Sequence, residues 1–240
     1  MDEAFGRIVH ILPLSLIDYP GKLACVLFFA GCNLRCPFCY NAELVLPELW
    51  KGFRPLDWEE VKNWLAERVG FLDGAVLTGG EPTLSPEIKR ISAELKELGF
   101  LVKLDTNGTN PEVLEELLKE GLVDYVALDL KAPFSRYAEY TGKEGEGILR
   151  AVKRSMETIW EKAKDYEFRT TVAPGLSEED LLSIAKEIPH AKRYVLQPFF
   201  LPPGKRLVDE SWRGRPALSV EELGQFLPEL RKILPVELRA

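Results

Sequence analysis

Histidine is almost missing from this chain of 240 residues: only His10 and His190 occur, and neither stands near another concentration of polar residues. Acid–base chemistry near neutral pH therefore has little to work with. Cysteine is also scarce, four in all, and in a chain with no secretory context a disulfide is not expected. No run of 18 apolar residues occurs, which excludes a membrane-spanning helix on length. The opening Met1-Asp2-Glu3-Ala4-Phe5-Gly6-Arg7 lacks the basic region, apolar run and small-residue cleavage site of a signal peptide, so a cytoplasmic location is expected. Nor is there a block of Lys and Arg. With 38 acidic against 31 basic residues and a net charge of −7, a grip on nucleic-acid phosphates is not expected. Repeats, linkers and low-complexity segments are absent. The length suits one domain over 1–240, with a core at about 20–200 and a loop and helix at 198–240 lying on it. Such a domain needs no staple to fold, so a bound metal would serve function.

What is present is concentrated. Three of the four cysteines fall within eight residues, in Gly31-Cys32-Asn33-Leu34-Arg35-Cys36-Pro37-Phe38-Cys39-Tyr40-Asn41. Three thiolates on one irregular segment can close on a metal centre locally. A structural zinc site takes four protein ligands, whereas a triad leaves one metal position for something else. Zinc with Cys25 or His10 as fourth ligand stays open at this point. Cys25 sits in the apolar run Leu23–Ala30 and reads as a small core residue.

The remaining chain alternates. Leu23–Ala30 reads as a strand buried on both faces, preceded by an extended segment with a turn at Pro20-Gly21. Further strands are predicted at 74–78, 100–104, 123–128, 166–172 and 193–197. Helices are predicted at 57–68, from 85 to near 99, and at 111–120, 147–164, 177–188 and 219–234. Asp57, with Glu60 three residues on, and Ser219, with Glu222, read as N-terminal caps. Residues 42–56 and 198–217 show no period and read as loops. Six strands alternating with helices imply parallel strands joined by right-handed crossovers. The fold class is α/β, an open (β/α)6 partial TIM barrel, with a doubly wound flat sheet as the structural alternative.

In such architectures the carboxyl ends of the strands collect the functional loops. On that rim fall Cys32, Cys36 and Cys39, then Gly79-Gly80-Glu81, Asp105-Thr106-Asn107, Asp129 with Lys131, and Gln197. Gly79-Gly80 can be a tight turn or can let backbone approach a ligand, beside a carboxylate that could accept from an ammonium. Asp129 and Lys131 can be a simple ion pair. Two carboxylates on neighbouring strand ends, Asp105 and Asp129, would repel unless a cation or cationic ligand lay between them. An inward Arg169 calls for a ligand or a carboxylate partner.

The Cys-x3-Cys-x2-Cys spacing with an aromatic before the last Cys, followed by Gly79-Gly80-Glu81-Pro82, resembles the radical S-adenosylmethionine (SAM) superfamily. Asp105-Thr106-Asn107-Gly108, Asp129-Leu130-Lys131 and the lead-in Ser15-Leu16-Ile17-Asp18-Tyr19-Pro20-Gly21-Lys22 narrow the likeness. They are similar to the glycyl radical enzyme activating enzymes, among them the anaerobic ribonucleoside-triphosphate reductase and pyruvate formate-lyase activating proteins. The likeness runs from about residue 8 to 200. It implies a [4Fe–4S] cluster on Cys32, Cys36 and Cys39 and SAM held by Tyr40, Gly79, Gly80, Glu81, Asn107, Lys131 and Arg169. It also implies a monovalent cation, Na+ or K+, on Asp105, Thr106 and Asp129, and no catalytic side chain beyond cluster and SAM. The implied reaction is reductive cleavage of SAM to methionine and a 5′-deoxyadenosyl radical, which makes a glycyl radical on a partner enzyme. A flavodoxin- or ferredoxin-type donor would supply the electron, and the chain would be a monomer. A radical SAM enzyme acting on a small molecule or peptide is the alternative, and a zinc-binding interaction module the reading from another class. Where pyruvate formate-lyase activases carry a histidine after the sixth strand, this chain has Gln197-Pro198-Phe199-Phe200. It also lacks the extra cysteines of multi-cluster activases.

Overall fold

The computed structural model describes residues 4–143 and 146–239; Met1 to Glu3 of the opening stretch lie outside them. One sheet organises the chain, with strands β1 (Ile8–Ser15), β2 (Ala24–Phe29), β3 (Gly74–Gly79), β4 (Leu101–Thr106), β5 (Tyr125–Asp129), β6 (Asp165–Val172), β7 (Tyr194–Pro198) and β8 (Val236–Leu238). They pair in sequence order from β1 to β8, and the two ends do not meet. Strands β2 to β8 run parallel. An order that never reverses is that of a partial barrel; a doubly wound sheet would turn back at its first strand.

Two strands depart from expectation. The extended lead-in is β1, antiparallel to β2 and interrupted by two register shifts, one between Ile8 and His10 and one between Leu12 and Ser15, across Pro13. The turn after it is as expected: Lys22 N–H donates to Tyr19 O at 3.1 Å, and Gly21 takes a φ of +69°, a conformation suited to glycine. The last helix stops at Leu230, not near 234, and Pro235 precedes the three-residue β8. A strand that short, with one charged residue, has no period to read.

Helices α1 (Ala42–Val45), α2 (Trp58–Ala66), α3 (Ile88–Glu97), α4 (Pro111–Lys119), α5 (Tyr137–Thr141), α6 (Glu146–Lys162), α7 (Glu178–Glu187) and α8 (Val220–Leu230) complete the chain. The Asp57 side chain caps α2, and α7 and α8 carry full capping boxes, Ser177 with Asp180 and Ser219 with Glu222. Strand alternation divides the interior. Outward residues such as Leu27, Phe29, Leu77, Leu104, Leu128, Phe168 and Leu196 form one core with the apolar stripes of the helices, including Ile91, Leu117, Ile159, Ile184 and Leu227. Each fully buried Leu or Ile contributes about 2 kcal/mol. Inward residues form a much smaller apolar cluster of Tyr19, Ala24, Val26, Val76 and Tyr125. The same face also carries Lys103, Asp105, Asp129, Glu167 and Arg169, in ion pairs. Cys25 lies on the outward side, fully buried, and burial pushes its thiol up to about 12.

Glu167 has no exposed surface, and Arg239 beyond β8 grips both of its oxygens at 3.0 and 2.9 Å. Removing one partner strands a buried charge, so Arg239→Ala is expected to cost about 3 kcal/mol of unfolding free energy in denaturant titration. At the end of α7, Glu187 accepts from Phe134 N–H at 3.0 Å and so anchors the segment leaving β5. Burial raises its carboxyl from 4.5 to about 6 against the opposing pull of that N–H and of Lys153. The folded state therefore prefers the protonated form. Its contribution is full below about pH 4.5 and is lost as pH rises through about 6. Glu187→Gln should remove that loss, so the difference in melting temperature between variant and wild type moves in the variant's favour from pH 4.5 to 6 and then levels off.

Candidate active site

At the carboxyl ends of β2 to β7 lies a cavity of about 270 Å³. All thirteen expected site residues line it: Cys32, Cys36, Cys39, Tyr40, Gly79, Gly80, Glu81, Asp105, Thr106, Asn107, Asp129, Lys131 and Arg169. Asp105 and Thr106, expected in the loop, are the last residues of β4, and Asp129 is the last of β5. Sequence reasoning assigned no role to Asp18, Phe28, Thr78, Thr171 and Phe199, which share the lining. Two had a signal: Thr78 stands two residues before Gly80, and Thr171 two after Arg169, so each falls on the inward face.

The cysteine loop is held from several sides. Gly31, at φ +100°, donates to Leu44 O at 2.7 Å and accepts from Glu81 N–H at 2.8 Å. A Cβ on Gly80 would lie 2.0 Å from Gly31 O, and one on Gly79 2.4 Å from Phe29 O. The paired glycines therefore seat β3 against the cysteine loop, besides lining the cavity. Arg35 N–H donates to Thr141 O at 2.9 Å on α5. On the far side, Val208 and Asp209 donate from their N–H groups to Cys39 O and Pro37 O at 2.9 and 3.1 Å, and Trp212 packs against Phe38. Loop 198–217, patternless in sequence, thus clasps the cysteines.

Asn33 and Asn107 form a network missed in sequence. Asn107 donates through Nδ2 to Asn33 Oδ1 at 3.1 Å and toward Cys32 Sγ at 3.8 Å, while Asn33 Nδ2 donates to Thr109 Oγ1 at 2.7 Å. Asn107, expected to contact SAM, lines the cavity and faces the cysteine loop.

Glu81 is buried and takes four donors: Thr83 N–H and Oγ1 at 3.2 and 2.6 Å, Thr106 Oγ1 at 2.8 Å and Asn107 N–H at 2.7 Å. Burial raises its carboxyl, and these donors pull the other way. Thr106 Oγ1, expected on a cation, spends its proton on Glu81 and accepts from Gly108 N–H at 3.1 Å. Asp105 and Asp129 do not repel across a gap, because Arg169 spans it: Nε meets Asp129 at 2.6 Å and Nη2 meets Asp105 at 3.2 Å. Lys131 adds a contact to Asp129 at 3.0 Å. Burial would raise both aspartates, but Arg169, with Lys103 for Asp105 and Lys131 for Asp129, holds them below the usual range.

The thiols test which metal group fits. Burial pushes Cys32 up to about 11, helped by Glu81, and raises Cys36 and Cys39 as well. The cysteines are free, and Cys25 and His10 are not among the cavity residues. His10 lies exposed against Phe28. The two residues that could have completed a zinc site with the triad, Cys25 and His10, are therefore both away from it. Among the described residues no three His, Cys, Asp or Glu side chains stand ready to close on an ion by themselves. Three thiols on one wall of a polar cavity suit a cluster with one iron left for a small chelating ligand.

A family model described as the radical SAM superfamily matches residues 26–188. The chain belongs to the radical SAM superfamily. Membership implies a [4Fe–4S] cluster and SAM. A protein of Methanocaldococcus jannaschii named as a glycyl-radical enzyme activating enzyme is 38% identical over 220 residues, covering 90% of this chain and 88% of its own. A pyruvate formate-lyase-activating enzyme of Clostridium pasteurianum is 32% identical over 210 residues, or 81% of this chain and 82% of that one. The radical SAM chain described here is thus an enzyme of the activating type. Streptococcus suis SuiB bound to S-adenosylmethionine superposes with a TM-score of 0.66 at 15% identity, covering 90% of this chain and 52% of that one. At that identity the likeness concerns the fold, and the chain spans about half of SuiB.

Because Gly80 has no room for a Cβ, Gly80→Ala should displace the cysteine loop at a cost of about 3 kcal/mol. The variant is expected to keep its far-ultraviolet circular dichroism and lose most of its iron after anaerobic reconstitution.

Proposed function

We propose that this enzyme seats a [4Fe–4S] cluster on Cys32, Cys36 and Cys39, binds SAM across the rim, and makes a glycyl radical on a partner enzyme. The partner would be of the anaerobic ribonucleotide reductase or pyruvate formate-lyase type. The observation that carries this is the single cavity in which the cysteine triad faces Lys131, Arg169 and the Gly79-Gly80 backbone. When bound, cluster and SAM supply one-electron carbon–sulfur cleavage and an organic radical that removes a hydrogen atom; orientation and water exclusion are left to the protein.

Lys131 and Arg169 are the cationic groups available to a SAM carboxylate, and the Gly79-Gly80 edge to its amino group. Glu81 braces that edge from below, and Tyr40, at 36% exposure beside Cys39, is placed for the adenine. The half-buried Cys39 next to exposed Tyr40 is where a flavodoxin- or ferredoxin-type donor can approach. The unpaired ends of the sheet leave the barrel open at one side, where a glycine-bearing loop would enter. The same opening would admit the peptide substrate of the alternative reading. Pro13 and the register shifts of β1 blunt that edge against pairing with another copy, which supports a monomer. Free cysteines agree with a reducing, cytoplasmic setting. No described helix is long and apolar enough to cross a membrane. A Na+ or K+ on Asp105, Thr106 and Asp129 is the one part of the family resemblance that the site's own charges oppose.

After anaerobic reconstitution the protein is expected to hold four irons per chain, as the cluster formula requires, and to release 5′-deoxyadenosine and methionine from SAM under a strong reductant. With a candidate partner it should yield a glycyl radical doublet in electron paramagnetic resonance. Serine at any one of Cys32, Cys36 or Cys39 should abolish the cleavage. Stoichiometric zinc without iron would refute the reading, and cleavage without a doublet on any glycyl radical enzyme would favour the peptide or small-molecule alternative.

A further inference from the structure

The inward face of this half-barrel carries ions where small barrels are ordinarily filled by branched aliphatic side chains. Lys103 is the extreme case. It has no exposed surface, shares the inward face of β4 with Asp105 two residues on, and stands 5.9 Å over the Tyr125 ring. Its ammonium bonds to Oδ1 of Asp105. The other oxygen of Asp105 takes Arg169 Nη2 at 3.2 Å and Thr78 Oγ1 at 3.3 Å. Asp129 gives one oxygen to Arg169 and the other to Lys131. Every oxygen of the two carboxylates thus has a cationic partner from the chain. Three cations face two carboxylates, while Glu167 is matched by Arg239. Within that group of five side chains one positive charge is unmatched; the buried Glu81, outside the group, is held by neutral donors alone. A metal cation between Asp105 and Asp129 would add a second in a poorly screened interior, beside Lys103 and Arg169.

We propose that Lys103 is a built-in counter-cation: its buried ammonium holds Asp105 in place of a monovalent metal ion, so that SAM binds without Na+ or K+. The surplus positive charge at Arg169 and Lys131 is then answered by the carboxylate of SAM. Lys103 bonds Asp105 and does not line the cavity, which makes it a positioning residue. The proposal rests on the radical SAM reading of the cavity.

Wild type, Lys103→Met and Lys103→Arg are compared in sodium, potassium and choline chlorides at equal ionic strength. Sodium binding to the cluster-free proteins is read from the 23Na line width, and SAM affinity of the reconstituted proteins from equilibrium dialysis. Wild type should bind no sodium at the site and show SAM affinities within about twofold across the three salts. Lys103→Met should lose roughly tenfold in affinity in choline, regain it in sodium or potassium, and broaden the sodium line. Lys103→Arg should follow wild type. A merely structural lysine would give no rescue by added cation. A sodium or potassium requirement in wild type, or a Lys103→Met protein indifferent to the salt, overturns the proposal. Should Lys103→Met not fold, the wild-type salt series decides by itself. A protein that takes up neither iron nor SAM overturns the parent reading instead, and the sodium measurement on the cluster-free chain still decides this one.

Discussion

The guanidinium of Arg169 reaches two carboxylates at once, Asp105 on β4 and Asp129 on β5, inside a half-barrel where few other groups could neutralise them. Much of the site follows from that sharing. With Arg169 between them, two buried acids can stand on adjacent strands without repelling, and the rim can present a polar wall opposite the cysteines. Breaking it would leave buried unpaired charge, which costs several kcal/mol.

A second constraint is steric. The cysteine loop is held by backbone contacts through Gly31, Glu81 and Thr141, and by the returning loop at Val208 and Asp209. Few of these depend on which side chains are present, apart from the glycines that allow strands to touch. Electrostatics shapes one wall of the cavity and close backbone packing shapes the other. A loaded cluster would sit where the two meet.

Activating chemistry of this kind asks the protein for position rather than for acids and bases. The scarcity of histidine agrees with that: His10 and His190 are both exposed and away from the cavity lining. The mouth between β1 and β8 is the complementary feature, since a macromolecular substrate must bring its own atom to the centre. The same sheet order that leaves the barrel open also places all the polar strand ends on one rim.

The sequence by itself determined the parts that rest on local, covalent spacing. The Cys32, Cys36 and Cys39 triad, the alternation that makes β2 to β7 parallel, and the gathering of Glu81, Asp105, Asp129 and Arg169 on one rim were legible, because strand period and loop position need no knowledge of distant neighbours. Only the tertiary structure decided which charge meets which. Lys103 lies two residues from Asp105, yet nothing in sequence says that it is wholly buried, or that Arg169 reaches both aspartates. The reason for Gly79 and Gly80, the clasp from residues 208 and 209, and the antiparallel course of β1 were equally hidden. Each is a contact between segments far apart in the chain, fixed by sheet curvature and by the cost of burying an unpaired charge.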